Sequence, residues 1–279
     1  MNVRKAHAGR IVLLTLVAIL VAVPLYIALV AASHSPRDLL GQFPLLPGHQ
    51  LGHNFASALV KGLPGAPPVW LMLGNSLLMA LGIAIGKLVI SILSAYAVVY
   101  FRFPLRMTAF WLIFMTLMLP VEVRFFPTYQ VTAGLHLLNS YGGLILPLIA
   151  SATATFLFRQ FFLTLPRELV DAARIDGAGP LRFFFDTALP LSRTNIAALF
   201  VLEFVYGWNQ FLWPLLTTTH QRYATIVMGI QGMITASQSF ALPQWNLIMA
   251  TAILALTPPV LVVVLMQRWF IKGLTETEK

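Results

Sequence analysis

The sequence predicts an all-α integral membrane protein of six transmembrane helices with both termini cytoplasmic. Three observations carry that prediction. Hydrophobic residues make up 58% of the 279-residue chain and charged residues 10%, whereas a water-soluble domain carries about 25% charged residues. Six apolar runs are each long enough to cross a hydrocarbon core ~30 Å thick, which takes about 20 helical residues. The net charge of +9 is also spread unevenly over the loops between those runs.

The first run, 11–33, follows Arg4, Lys5 and Arg10, as a secretory signal would. A signal's apolar region spans about 7–15 residues, and here it continues nearly unbroken to Ala32, which predicts an uncleaved anchor. Ala31-Ala32-Ser33 leaves a cleavage site as the other reading. The second run, 71–101, exceeds a minimal span and is expected to tilt or to project beyond the bilayer. The others are 108–125, 141–165, 195–216 and 245–270. Pro24, Pro120, Pro147, Pro214, Pro258 and Pro259 lie in or beside these runs. Each removes a backbone donor and frees a carbonyl that lipid cannot satisfy, which predicts kinks packed on neighbouring helices, or hinges. The connections 34–70 and 217–244 are long but do not read as separate domains, so residues 1–279 are expected to form one transmembrane domain.

With the N-terminus inside, 13 of the 18 Lys and Arg fall at cytoplasmic ends and loops and 4 outside, leaving Lys87 within a span. That bias orients the chain and accounts for its positive charge without a nucleic-acid partner. The absence of Cys removes disulfides, thiolate nucleophiles and sulfur-ligated metal sites. No phosphate-binding Gly-x-x-x-x-Gly-Lys-Ser/Thr loop and no Gly-x-Ser-x-Gly elbow occurs, so no enzymatic activity is expected. His49 and His53 are four apart, but Gly48 and Gly52 argue against a helix there, and no metal site is expected.

The inner loop 166–192 is the most informative stretch and holds four of the nine acidic residues. Pro166 suits a helix start, Glu168 and Asp171 lie near the positive end of its dipole, and Gly177 suits the left-handed position that ends it. Leu169, Ala172, Ala173 and Asp176 recur at helical spacing, which predicts one face with small residues open to close approach. Pro180 is positioned to start a second short helix carrying Phe183, Phe184 and Phe185. Such a charged helix-turn-helix beneath a membrane is suited to docking.

Asp171-Ala172-Ala173, then Gly177, then Leu189-Pro190 resembles the "EAA" motif of inner-membrane permease subunits of binding-protein-dependent ABC importers. Asp171 replaces the usual Glu and Thr187 an aliphatic residue. The resemblance spans the chain and implies the type I importer permease fold, with Glu168, Asp171, Ala172, Ala173, Asp176, Gly177, Leu189 and Pro190 coupling it to an ATPase. It also implies a second permease subunit as heterodimer partner, a cytoplasmic ATPase dimer that uses ATP and Mg, and a periplasmic solute-binding protein. The chain itself is expected to bind no cofactor, and to lie in the bacterial inner membrane. Residues 117–124, 151–160 and 206–214 look most like the carbohydrate-type members that import sn-glycerol-3-phosphate. The substrate expectation rests on that likeness alone.

Intramembrane charges cost at least ~2.5–3.5 kcal/mol on insertion scales, so each invites a functional reading. Lys87 follows Gly82-x-x-x-Gly86, a spacing that brings helices close. It would suit a phosphate-bearing substrate, or it would pair with Glu203 or a neighbouring subunit. Glu122 and Arg124, between Pro120 and Pro127, line an outer cavity or belong to its rim. Asn75, Trp208, Asn209 and Gln210 have the chemistry of a polyol path, although each alone is also an ordinary interfacial residue. Together these eight residues are the candidate translocation pathway. A neutral-sugar permease is the alternative within the class. A proton-coupled secondary transporter, with Glu203 as relay, is the alternative outside it, and it leaves the docking loop without a purpose.

Overall fold

The computed structural model describes residues 2–63, 66–116, 119, 121–239 and 242–276, with the side chains of 2–8, 121–122 and 270–276 outside that description. The described residues form helices and no strand. In order these are α1 (Asn2–Ala32), α2 (Leu51–Val60), α3 (Val69–Tyr100), α4 (Arg106–Met115), α5 (Val121–Gly134), α6 (Tyr141–Ile145), α7 (Ala152–Thr164) and α8 (Arg167–Ile175). They continue through α9 (Pro180–Phe183), α10 (Leu189–Leu191), α11 (Arg193–Trp208), α12 (Leu212–Thr217), α13 (Ile226–Ser237) and α14 (Trp245–Glu276).

Three helices are individually long and apolar enough to cross a membrane: Gly9–Ala32, Val69–Tyr100 and Trp245–Trp269. Two bent helix pairs are long and apolar enough only when taken together, Tyr141–Leu148 with Ala152–Thr164 at 46° and Pro180–Leu191 with Arg193–Trp208 at 71°. The bends have local causes. Pro147 lies in the 3₁₀ turn Leu146–Leu148 between α6 and α7. Pro190 cannot donate to the carbonyl four residues back, and the chain before it loosens into a π turn over Phe184–Ala188. The Ser192 hydroxyl donates to the Ala188 carbonyl at 2.6 Å beside this turn.

Three expected runs depart from single helices. Run 108–125 is divided between the ten-residue α4 and the start of α5, and Pro120 lies outside the described residues. Run 195–216 breaks after Trp208 and resumes as α12. Run 141–165 carries the 46° bend. The connection 34–70 contains α2 despite Gly52, because the expectation of no helix weighed glycine above the apolar spacing of Leu51, Phe55, Ala58 and Leu59. The connection 217–244 contains α13, whose Ile226, Gly229 and Met233 are buried on one face.

Contacts divide the chain into two compact units. The first comprises Met1–Leu73 and Ile226–Pro258. There α1 exposes its apolar surface from Ile11 to Leu29 and buries only its end, Val30–Ser33, as a helix solvated by lipid requires. The carbonyls freed at that end find amide partners: Asn54 Nδ2 donates to Ala32 O at 2.8 Å and to His34 O at 2.9 Å. Asn246 Nδ2 donates in turn to Asn54 Oδ1 at 3.0 Å.

The second unit comprises Gly74–Thr225 and Pro259–Lys279. Within it α3 and α11 approach backbone to backbone: a Cβ on Gly207 of α11 would stand 2.9 Å from the Ala80 Cα of α3. The Gly82/Gly86 notch serves differently, receiving the side chains of Ile145 and Ile149 rather than a second helix backbone.

Candidate functional site

The loop 166–192 folds as its residues dictate. Pro166 precedes α8, Glu168 lies in its first turn and Arg174 in its last, both favourable to the helix dipole. Gly177 takes φ +68°, its N–H donates to Arg174 O at 3.1 Å, and the Ala178 N–H donates to Ala173 O at 2.8 Å. These two bonds close the helix in the Schellman pattern, which needs a left-handed residue at that position.

The face expected to unite Leu169, Ala172, Ala173 and Asp176 is split. Leu169 and Ala173, with Val170, turn inward onto an aromatic core of Tyr96, Phe158, Phe162, Phe183 and Phe184. Ala172 and Asp176 are exposed, together with Glu168, Asp171 and Ile175. The expectation ranked small residues as the contact face, whereas burial follows the larger apolar side chains. Ile175 is 87% exposed, and Leu181 and Phe185 are exposed nearby, so the loop presents apolar surface beside carboxylates with nothing in this chain covering it. Leu189 and Pro190 are half-buried behind it. The Tyr96 hydroxyl donates to Pro180 O at 2.7 Å and its ring lies 4.9 Å from that of Phe184. The loop is thereby packed directly on the end of α3.

A second site lies within the helices. Lys87 Nζ and Glu203 Oε2 pair at 2.8 Å, with side chains only 7% and 11% exposed. The Ser151 hydroxyl donates to Glu203 Oε1 at 3.0 Å and also accepts from the Ala154 N–H, capping α7. Lys87 Nζ stands 3.5 Å from the centroid of the Tyr206 ring. Each buried charge thus has an opposite charge and a second polar partner, as burial demands.

The remaining sequence-predicted residues divide. Asn75 is buried and fully engaged: its Nδ2 donates to Arg222 O and Ala224 O, both at 2.8 Å, and its Oδ1 accepts from the Tyr141 hydroxyl. Trp208 is buried against Phe204. Asn209 is exposed at the end of α11, and Gln210 donates to Tyr206 O at 3.2 Å. Arg124 is exposed. The side chain of Glu122 lies outside the described residues. Sequence reasoning missed Ser151 and Tyr206, which carry no charge and become visible only once Lys87 and Glu203 are brought together. Among the described residues no group of three or more His, Cys, Asp or Glu is placed to hold a metal ion.

Comparison with known proteins adds to this geometry. The model of the family described as "Binding-protein-dependent transport system inner membrane component" matches residues 87–276. The sn-glycerol-3-phosphate transport system permease protein UgpE of Agrobacterium fabrum is 58% identical over 270 residues, 96% of this chain and 95% of its own. The protein of that name from Yersinia pestis is 57% identical over the same shares, and that from Rhizobium meliloti 58% identical over 94% and 93%. Among solved structures, a bacterial ABC transporter involved in the import of the acidic polysaccharide alginate matches with a TM-score of 0.81 at 18% identity. That match covers 96% of this chain and 97% of the other, and at such identity it speaks to fold alone.

Proposed function

This chain belongs to the family of binding-protein-dependent transport system inner membrane components, and from that premise we propose that it forms half of an ATP-driven pathway importing sn-glycerol-3-phosphate or its diesters. It is a permease subunit of the inner membrane and not an enzyme, as its relatives are permeases. The observation that carries the substrate is the 58% identity, over 96% of the chain, to a permease of an sn-glycerol-3-phosphate transport system.

In this reading the chain crosses the membrane six times with both termini cytoplasmic. Support comes from the three long helices, the two bent pairs and α4 leading into α5, together with the Lys and Arg bias. The other half of the pathway is a second permease. ATP and Mg belong to an ATPase dimer beneath the membrane, and a periplasmic binding protein delivers the solute.

The residues divide the work. Glu168, Asp171, Ala172, Asp176 and exposed Ile175 form the face on which the ATPase docks, and Gly177 with Leu189-Pro190 fixes how that face is presented. When the ATPase dimer closes, the push on α8 passes through Tyr96, Phe183 and Phe184 into α3, and the bundle reorients to open outward. Arg124, Asn209 and Gln210 are the pathway candidates open to a solute in this state. Glu122 remains with them. Lys87 and Glu203 hold each other and Tyr206 behind that set, with Asn75 and Trp208 serving as packed supports.

The test is uptake of labelled sn-glycerol-3-phosphate into proteoliposomes of the assembled complex with ATP inside and binding protein outside. Uptake that requires both is expected. Uptake of a neutral sugar instead rejects the substrate, and uptake driven by a proton gradient without ATP rejects the mechanism.

A further inference from the structure

Beside the free face of α8, a cleft of about 550 Å³ lies between that helix and the end of α3. Four arginines line it, Arg102, Arg106, Arg167 and Arg174, against one carboxylate, Asp171. Arg174 pairs with Asp171 at 3.7 Å, and Arg106 donates to Phe101 O at 3.1 Å. Arg102 and Arg167 make no ion pair among the described residues. Three guanidinium charges therefore converge on one cavity with no carboxylate to meet them.

The cleft meets the docking face only at Asp171, whose carboxylate is paired with Arg174. Arg167, Val170, Asp171 and Arg174 are spaced at i, i+3, i+4 and i+7 and form one stripe of α8, while Glu168, Ala172 and Ile175 form another. The floor is aromatic, and the hydroxyls of Tyr96 and Tyr100 already donate to Pro180 O and Phe162 O. It offers rings rather than free donors. Guanidinium forks match the paired oxygens of a phosphate, and an apolar floor beside them matches the glycerol and first methylenes of a lipid. Tyr100 is also the last residue of the long apolar helix α3, so the cleft opens where a spanning helix reaches the headgroups.

We infer that this cleft binds a phosphate group, supplied by an anionic phospholipid of the cytoplasmic leaflet. The leaflet rests on the orientation proposed above; the phosphate chemistry does not. The assembled importer is reconstituted in mixed phosphatidylglycerol and phosphatidylcholine, extracted, and its retained lipids identified by native mass spectrometry. The proteins compared are the unaltered complex, Arg102→Gln/Arg106→Gln and Arg102→Lys/Arg106→Lys. Phosphatidylglycerol is expected to be retained over phosphatidylcholine. Each arginine neutralised lowers retention about fivefold, equivalent to ~1 kcal/mol per basic residue at a membrane surface, whereas the lysine pair keeps most of it. A second arm measures inorganic phosphate binding to the delipidated complex. Phosphate binding lost in the glutamine variant supports the same site filled by a soluble phosphate. Retention and phosphate binding both unchanged in that variant, or both absent from the unaltered complex, overturn the proposal. Substrate-stimulated ATPase activity is measured on the same preparations; its failure rejects the transport reading and leaves the lipid result standing.

Discussion

Replacing Lys87 with Met leaves the Glu203 carboxylate buried with only the Ser151 hydroxyl beside it. At 2.8 Å the lost attraction is about 6 kcal/mol at an effective dielectric of ~20. Most of that offsets desolvation in the intact pair, and breaking one side of a buried pair costs ~3–5 kcal/mol. Glu203→Gln is milder, because an amide oxygen still accepts from Ser151 and Lys87 keeps the Tyr206 ring, a contact of ~2 kcal/mol when desolvated. Lys87→Met/Glu203→Leu removes both charges and returns close to the starting stability, as apolar replacements of buried pairs do. The assay is thermal unfolding of the assembled complex in lipid nanodiscs, with Lys87→Met, Glu203→Leu and the double variant arranged as a double-mutant cycle and Glu203→Gln measured alongside. At ~2–4 °C per kcal/mol for a chain near this size, Lys87→Met lowers Tm by roughly 6–20 °C and the double variant recovers most of it. Lys87→Met within about 2 °C of the unaltered protein, or a double variant no better than the worse single one, refutes the reasoning.

Gly177→Pro cannot adopt φ +68°, since proline is fixed near −65°. It and Asp176→Arg are each expected to leave insertion intact while lowering solute transported per ATP, measured by parallel uptake and phosphate release. Ile175→Asp places a charge on an 87% exposed position, so stability is unchanged and co-purification of the ATPase is lost; retained ATPase contradicts the docking face. Gly207→Ala forces a methyl to within 2.9 Å of the Ala80 Cα and costs ~1–3 kcal/mol by overpacking. Gly74→Ala, with open space around it, gains up to ~1 kcal/mol from helix propensity. Unfolding midpoints separate the last two.

Uniform apolarity made α1, α3 and α14 legible, because a helix solvated by lipid needs no pattern beyond length. The end of α8 was legible as well, since Gly177 alone satisfies a left-handed closing residue. The inward face of α8 was not. Choosing between Ala172 and Leu169 requires knowing that Tyr96, Phe162 and Phe183 converge beneath the loop, and those residues come from three distant segments. The Lys87–Glu203 pair spans 116 positions, so both charges were visible as anomalies and their pairing as one reading of Lys87, while choosing that reading, and the part played by Ser151, depended on tertiary structure. Gly207 has no glycine at helical spacing to mark it; its importance comes from Ala80 on another helix. The bends near Pro147 and Pro190 follow from missing donors, but how far a freed backbone reorients depends on what packs around it.

The measurement that tests the account most directly is ATPase activity of the assembled complex in lipid, with binding protein loaded by sn-glycerol-3-phosphate or by a neutral sugar. The account predicts stimulation by sn-glycerol-3-phosphate that the neutral sugar does not reproduce, and its loss in Gly177→Pro. Stimulation by the neutral sugar alone, or stimulation undiminished in Gly177→Pro, contradicts it.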